Sequence, residues 1–223
     1  MDERFQKIKK EVEKELSCSA HNMDHVMRVY NLSLHLAKDE NIDFDVLKAS
    51  ALLHDIARVK EDNDPSGNTD HAILGSTMAI PILEELNFSE DQIKHIKRSI
   101  VSHRYRTGNQ PKTKEAQILF DADKLDTLGA IGIARSFVWV GRNNAKIYTD
   151  TNIEKYIDEN LGGEINGRIQ DKTKHSPQIE FETKLKFLID KLHTKKAKEI
   201  CTERIGFYKS FLDRLKKEID GEL

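Results

Sequence analysis

Apolar residues recur at spacings of three and four along almost the whole chain, and that period predicts an all-α protein. Phe5, Ile8, Val12 and Leu16 mark a helix over residues 1–16, and Val26, Val29, Leu32, Leu34, Leu36 and Ala37 a second over 24–38. Further helices are predicted at 71–86, 90–104 and 114–128, with Ser89 and Gln92 as N-cap and capping-box partner ahead of the second of these. Asn or Asp in "HNMD" and "NIDFD" supplies caps before Val26 and Val46. The run "IGIARSFVWV" at 131–140 contains strand formers, but its Ala and Arg and its place after a helix predict a buried helix. After Pro177, Leu185, Leu188 and Ile189 predict a helix over 178–192, and Ile200, Ile205, Phe207, Phe211 and Leu215 one over 194–219. Polar and turn-forming residues place loops at 60–70 and 105–114, and a long one at 142–176 whose Gly162, Gly163 and Gly167 suggest a lid. The expected organisation is one domain over 1–223, with a core at 20–140 and C-terminal helices at 177–220 packing on it.

One segment does not fit a simple core. Val46, Leu47, Ala49, Ala51, Leu52, Leu53 and Ile56 predict a buried helix over 44–59, yet His54 and Asp55 stand side by side in its apolar part. A buried carboxylate costs several kcal/mol unless it is paired or coordinates a cation. The same problem recurs in "LFDADKLD", which places Asp121, Asp123 and Asp126 in one apolar stretch. His25, His71 and His103 also fall where their helices turn towards an interior. A shared metal ion resolves all of these charges together, and imidazole with carboxylate suits Mn, Fe, Co, Ni or Zn.

Composition narrows the chemistry. The 223 residues are 38% hydrophobic, enough for a proper core, and 36 basic against 38 acidic residues leave a net charge of −2. That balance gives no reason to expect DNA binding or adhesion to an anionic membrane. The N-terminus "MDERFQKIKKEVEKELS" lacks an apolar signal core, and no run of about 18 apolar residues occurs, so the expected location is the cytoplasm. Cys18 and Cys201 are far apart and outside any CxxC pair, so neither a disulfide framework nor a thiolate zinc site is suggested.

The order His25, His54-Asp55, Asp123 resembles the H...HD...D signature of the HD-domain metal-dependent phosphohydrolase superfamily, and "HDIA" with "DADKLDTLGAIGIAR" resembles its small YedJ/YpgQ-like branch. The likeness runs from "HNMDHVMRV" to "TKLKFLIDKLHTKKAKEICTERIGFYKSFL". It implies an HD-type helical bundle with the metal inside it and carries over His25, His54, Asp55 and Asp123 as ligands of one divalent ion, Mn favoured over Co, Ni, Fe, Mg or Zn, with a second metal left open. His71 and His103 match positions where binuclear relatives add ligands, and equally suit general acid or base at a mononuclear site. Branch relatives often carry His-Asp where this chain has His21-Asn22, and Arg58 stands where some members of the superfamily place a water-orienting Glu. The reaction implied is hydrolysis of a nucleotide or related small phosphorylated metabolite, with nucleoside triphosphate pyrophosphohydrolysis as the branch's indication. Lys124, Arg58, Arg104 and Arg135 are the phosphate-binding candidates, Asp126 a proton shuttle or ligand, Asp121 a support for a ligand imidazole, and Arg28 an ion-pair partner. "TLGAIGIA" lacks the preceding strand of a dinucleotide fingerprint, and close packing explains its glycines. A monomer or homodimer is expected. Two other readings remain: a non-catalytic nucleotide sensor, which binds without turnover, and a dinuclear iron oxygenase, which needs His71 and His103 as second-metal ligands.

Overall fold

The computed structural model describes residues 2–16, 23–104, 108–165 and 167–223, and among these residues it is all α with no strand. His21, the cap expected from Asn22 and the first residues of the 105–114 loop lie outside the described residues. The chain divides into two compact units, Met1–Asp123 and Lys124–Leu223.

The first unit contains α1 (Glu3–Glu15), α2 (Met23–Leu36), α3 (Phe44–Leu53), α4 (Arg58–Asp62), α5 (His71–Glu85), α6 (Glu90–Ser102) and most of α7 (Lys114–Leu125). Phe5, Ile8 and Val12 bury the apolar stripe of α1, which packs on α3. Helix α3 is the centre of the unit: seven of its ten residues, Val46, Leu47, Ala49, Ser50, Ala51, Leu52 and Leu53, are buried, and α2, α5 and α6 pack around it. Asp43 caps it through the amides of Asp45 and Val46, and the Ser89–Gln92 capping box opens α6 as expected. Glu115 accepts from the Asp43 amide at 2.9 Å and faces His95 of α6 at 3.2 Å, while Lys114 pairs with Glu40. These contacts fasten the start of α7 beside α3 and α6.

The second unit pairs α8 (Gly129–Asn143) with α11 (Lys195–Ile219), and α10 (Pro177–Thr183) joins α8 to α9 (Ile153–Asn160). Phe181 stacks on Tyr208 at 5.3 Å, and the Tyr208 hydroxyl meets Ser136 Oγ at 2.8 Å. Gly132 is required here: a Cβ would lie 2.2 Å from the Thr127 carbonyl, and Gly129 turns the chain with φ of +67°.

Several expectations are corrected. The helix expected over 44–59 stops at Leu53, and the 60–70 loop begins with α4. The stretch 142–176 is no open loop, because α9 lies within it and Tyr156 and Leu161 form an apolar cluster with Ile179, flanked by Ile153, Ile157 and Ile169. Isoleucines at a spacing of four, hidden among charges, carry that cluster. The helix over 178–192 breaks after Thr183 into a 3-10 segment, Leu185–Lys191. Helix α8 forms as expected but is buried on one face only, with Ile131 and Val138 exposed. On α11 the buried stripe is Ala197, Cys201, Tyr208 and Leu212, and Phe207 is half exposed.

Candidate metal centre

His54 and Asp55 lie in the turn that ends α3, where the Ile56 amide bonds back to the Leu53 carbonyl and the Arg58 amide to the Asp55 carbonyl. A helix C-terminus leaves its last carbonyls free. His54 Nδ1 takes up one of them by donating to the Ala51 carbonyl at 2.8 Å. His103 repeats the arrangement at the end of α6, with Nδ1 donating to the Ile100 carbonyl at 2.5 Å. His71 opens α5 instead, and its Nδ1 meets Glu61 Oε2 at 2.6 Å.

A carbonyl only accepts, so His54 and His103 each carry a proton on Nδ1 and turn Nε2 inward. His54 Nε2 lies 3.3 Å from His25 Nε2, and His71 Nε2 lies 3.2 Å from His103 Nε2. Asp55 stands between the two pairs. Its Oδ2 is 3.6 Å from His25 Nε2 and 3.7 Å from His54 Nε2; its Oδ1 is 3.3 Å from His71 Nε2 and 3.6 Å from His103 Nε2. Helix α7 brings Asp123 Oδ1 to 3.4 Å from His25 Nε2.

Every one of these side chains except Asp123 is buried. Burial lowers His54 to a pKa of about 4 despite the neighbouring carboxylates, and burial likewise lowers His71. For Asp55 burial acts to raise the pKa, but the imidazoles around it, His54 foremost, hold the carboxyl well below its usual range. Four imidazole nitrogens and the carboxylate oxygens of Asp55 converge on one another, donor types that suit a divalent cation. Two groups of donor atoms within 4.8 Å of one another could hold a metal ion, His25–His54–Asp55 and Asp55–His71–His103.

The sequence-derived candidates therefore separate. His25, His54, Asp55, His71, His103 and Asp123 come together. Arg58 pairs with Glu61 at 2.9 Å and Asp62 at 3.3 Å, and Arg104 with Glu61 at 2.9 Å and Asp70 at 2.7 Å. Both guanidiniums are thus anchored on carboxylates beside His71. In the second unit Arg135 donates to Asp126 Oδ2 at 2.7 Å, Asp126 is buried, and Lys124 is partly buried. Asp121 is fully buried. Glu61 escaped the sequence reading, hidden in the polar string taken as a loop. Its one signal was a spacing of three from Arg58, which suits a helical turn.

An all-α fold with an ordered His, His-Asp, Asp set, all but Asp123 buried, defines the class. Residues 22–128 match the HD domain family, so this part of the chain carries an HD domain. Over 213 residues it is 28% identical to YpgQ of Bacillus subtilis, covering 91% of this chain and 86% of that protein. Among solved structures, a Lactobacillus plantarum protein superposes with a TM-score of 0.73 at 25% identity over 99% of both chains. A protein described as an HD-superfamily hydrolase from Bacillus thuringiensis does so at 0.67 and 26%, over 97% of this chain and 95% of its own. The fold is shared with Bacillus subtilis YpgQ solved in complex with ADP, at 0.68 and 23%, over 96% and 94% of the two chains. Among the described residues no helix is long and apolar enough to cross a membrane.

Proposed function

We propose that the chain is a divalent-metal-dependent phosphohydrolase acting on a nucleotide, with His25, His54, Asp55 and Asp123 as the metal ligands. The observation that carries this reading is the inward set of Nε2 lone pairs around Asp55, fixed for His54 and His103 by acceptor-only partners on the opposite ring nitrogen. A bound divalent ion such as Mn supplies positive charge to a phosphate oxygen and acidity to water. The protein's own residues do the rest. His71 or His103 takes up the proton of the attacking water at Nε2. Lys124, next to Asp123 in sequence, contributes a cation to the phosphate. Arg58 and Arg104, held by Glu61, supply positive charge on the His71 side.

A nucleotide as substrate is supported by the shared fold of YpgQ, whose structure contains ADP. The second triad, Asp55–His71–His103, favours a companion reading in which a second ion binds there. One experiment addresses both. Purified protein is stripped of metal, loaded with Mn, Co, Ni, Mg, Fe or Zn, and given nucleoside mono-, di- and triphosphates, with phosphate and pyrophosphate measured separately and metal per chain determined. Turnover restored by one ion per chain supports the mononuclear form, and two per chain the binuclear. No release under any condition, or undiminished turnover in verified metal-free protein, overturns the proposal.

A further inference from the structure

His54 and His103 close α3 and α6, and each finds its acceptor in the carbonyl three residues before it, Ala51 and Ile100. His71 stands at the opposite end of a helix. It is the first residue of α5, where free amides abound and no preceding helical turn offers a carbonyl. A ring placed there needs an acceptor from elsewhere to be held like the other two.

Glu61 is that acceptor. Its Oε2 lies 2.6 Å from His71 Nδ1, much nearer than Arg58 Nη1 at 3.3 Å from the same nitrogen; that Nη1 is 2.9 Å from Glu61 Oε2, and Glu61 Oε1 lies 2.9 Å from Arg104 Nη1. Arg104 also binds Asp70 at 2.7 Å. Asp70 is the N-cap of α5, accepting from the amides of Ala72 and Ile73. The residue before His71 and the residue after His103 are therefore joined by an ion pair, and Glu61 ties that pair to the His71 ring.

We infer that Glu61 is a positioning residue that holds His71 in the Nδ1–H tautomer, with its Nε2 lone pair directed at Asp55 and His103. It acts through His71 and touches no reacting atom. Partners behind metal-site histidines fix the ring orientation in this way, and their loss costs about 10- to 100-fold.

The inference rests on the proposed hydrolytic role of the site only for its kinetic consequence, and its first test needs no activity. Long-range proton–nitrogen spectra of full-length, metal-free protein labelled with ¹⁵N-histidine are compared with those of Glu61→Ala and Glu61→Gln, with His71→Gln assigning the ring. His71 in the wild type is expected to show a protonated Nδ1 and a bare Nε2. Glu61→Ala should lose that preference, and Glu61→Gln, whose amide oxygen still accepts, should keep most of it. A wild-type His71 protonated at Nε2 overturns the inference without any variant, as does an unchanged tautomer in folded Glu61→Ala. With a nucleotide that the wild type hydrolyses, Glu61→Ala should lower kcat about 10- to 100-fold, and Glu61→Gln should recover part of it. If the wild type turns over nothing, the phosphohydrolase reading fails while the tautomer result stands.

Discussion

His54 in the first unit and His175 in the second are both buried histidines, and their surroundings teach opposite lessons. At His175 every donor meets an acceptor. Asn160 Nδ2 donates to the Tyr156 hydroxyl at 2.6 Å, so that hydroxyl turns its proton to His175 Nδ1 at 2.8 Å. His175 Nε2 then donates to Glu180 Oε2 at 3.2 Å, and Lys184 occupies the other Glu180 oxygen at 2.6 Å. Burial acts to raise the pKa of Glu180, but Lys184 and His175 pull it well below the ordinary value. His54 is likewise buried with one nitrogen satisfied by a carbonyl, but its Nε2 faces His25 and Asp55. Burial alone does not distinguish a ligand from a structural histidine; the balance of donors and acceptors does.

The sharpest way to break this comparison is Asp55→Ala. It removes the carboxylate shared by both triads, so turnover should fall by roughly 10³-fold with loss of bound metal. The stabilisation that added Mn gives the wild type should vanish. Metal analysis and thermal melts with and without Mn check this. One ion per chain bound with wild-type affinity would remove Asp55 from the ligand set.

The next effect is a pH dependence. His54 has a folded pKa of about 4 against about 6.5 unfolded, so between those values the unfolded chain binds a proton that the folded chain refuses. Metal-free protein should lose stability as pH falls from 6.5 to 4, by roughly 3 kcal/mol from this group. Urea unfolding at intervals across that window measures it, and His54→Gln should flatten the slope. A wild-type curve that is flat down to pH 4.5 would mean that His54 is not held neutral by its burial.

Much of this was legible in the sequence, for definite physical reasons. Helical period located the helices because a spacing of three and four is a local property, and His54-Asp55 stood out because a charge in an apolar run is costly. The end of α3 was not legible. No Gly or Pro marks it, and the apolar run continues through Ile56; the helix stops where the His54 ring takes the Ala51 carbonyl. Glu61 was missed because its partner His71 lies ten residues away across a turn, beyond any local pattern. Arg135 and Asp126 illustrate the converse. Both were singled out by charge type, and the fold pairs them with each other.

His175 offers a milder contrast with the first unit. His175→Ala strands the Tyr156 hydroxyl and one Glu180 oxygen, and should cost about 2 kcal/mol of stability. Metal content and the response of melting temperature to Mn should stay at wild-type values, because the ring offers no lone pair to a cation. Chemical denaturation beside metal analysis measures both. A His175→Ala protein that folds but binds less metal would erase the distinction between the two histidines.

Lys124→Ala carries the smallest effect and separates holding a metal from using it. A protonated amine has no lone pair, so Lys124 cannot be a ligand even though it follows Asp123 directly in sequence. The variant should retain wild-type metal per chain and a wild-type gain in melting temperature on adding Mn. What it should lose is a cation opposite phosphate, and with it about tenfold in kcat/KM, or about 1.4 kcal/mol of transition-state stabilisation. The loss should shrink for substrates with fewer phosphate charges, because the missing interaction is electrostatic. Steady-state kinetics on nucleoside tri-, di- and monophosphates, with metal content measured on the same preparations, tests the point. Equal losses on all three would assign Lys124 to folding rather than to phosphate, and loss of metal together with activity would show that the end of α7 supports the ligand set through Lys124 as well as Asp123.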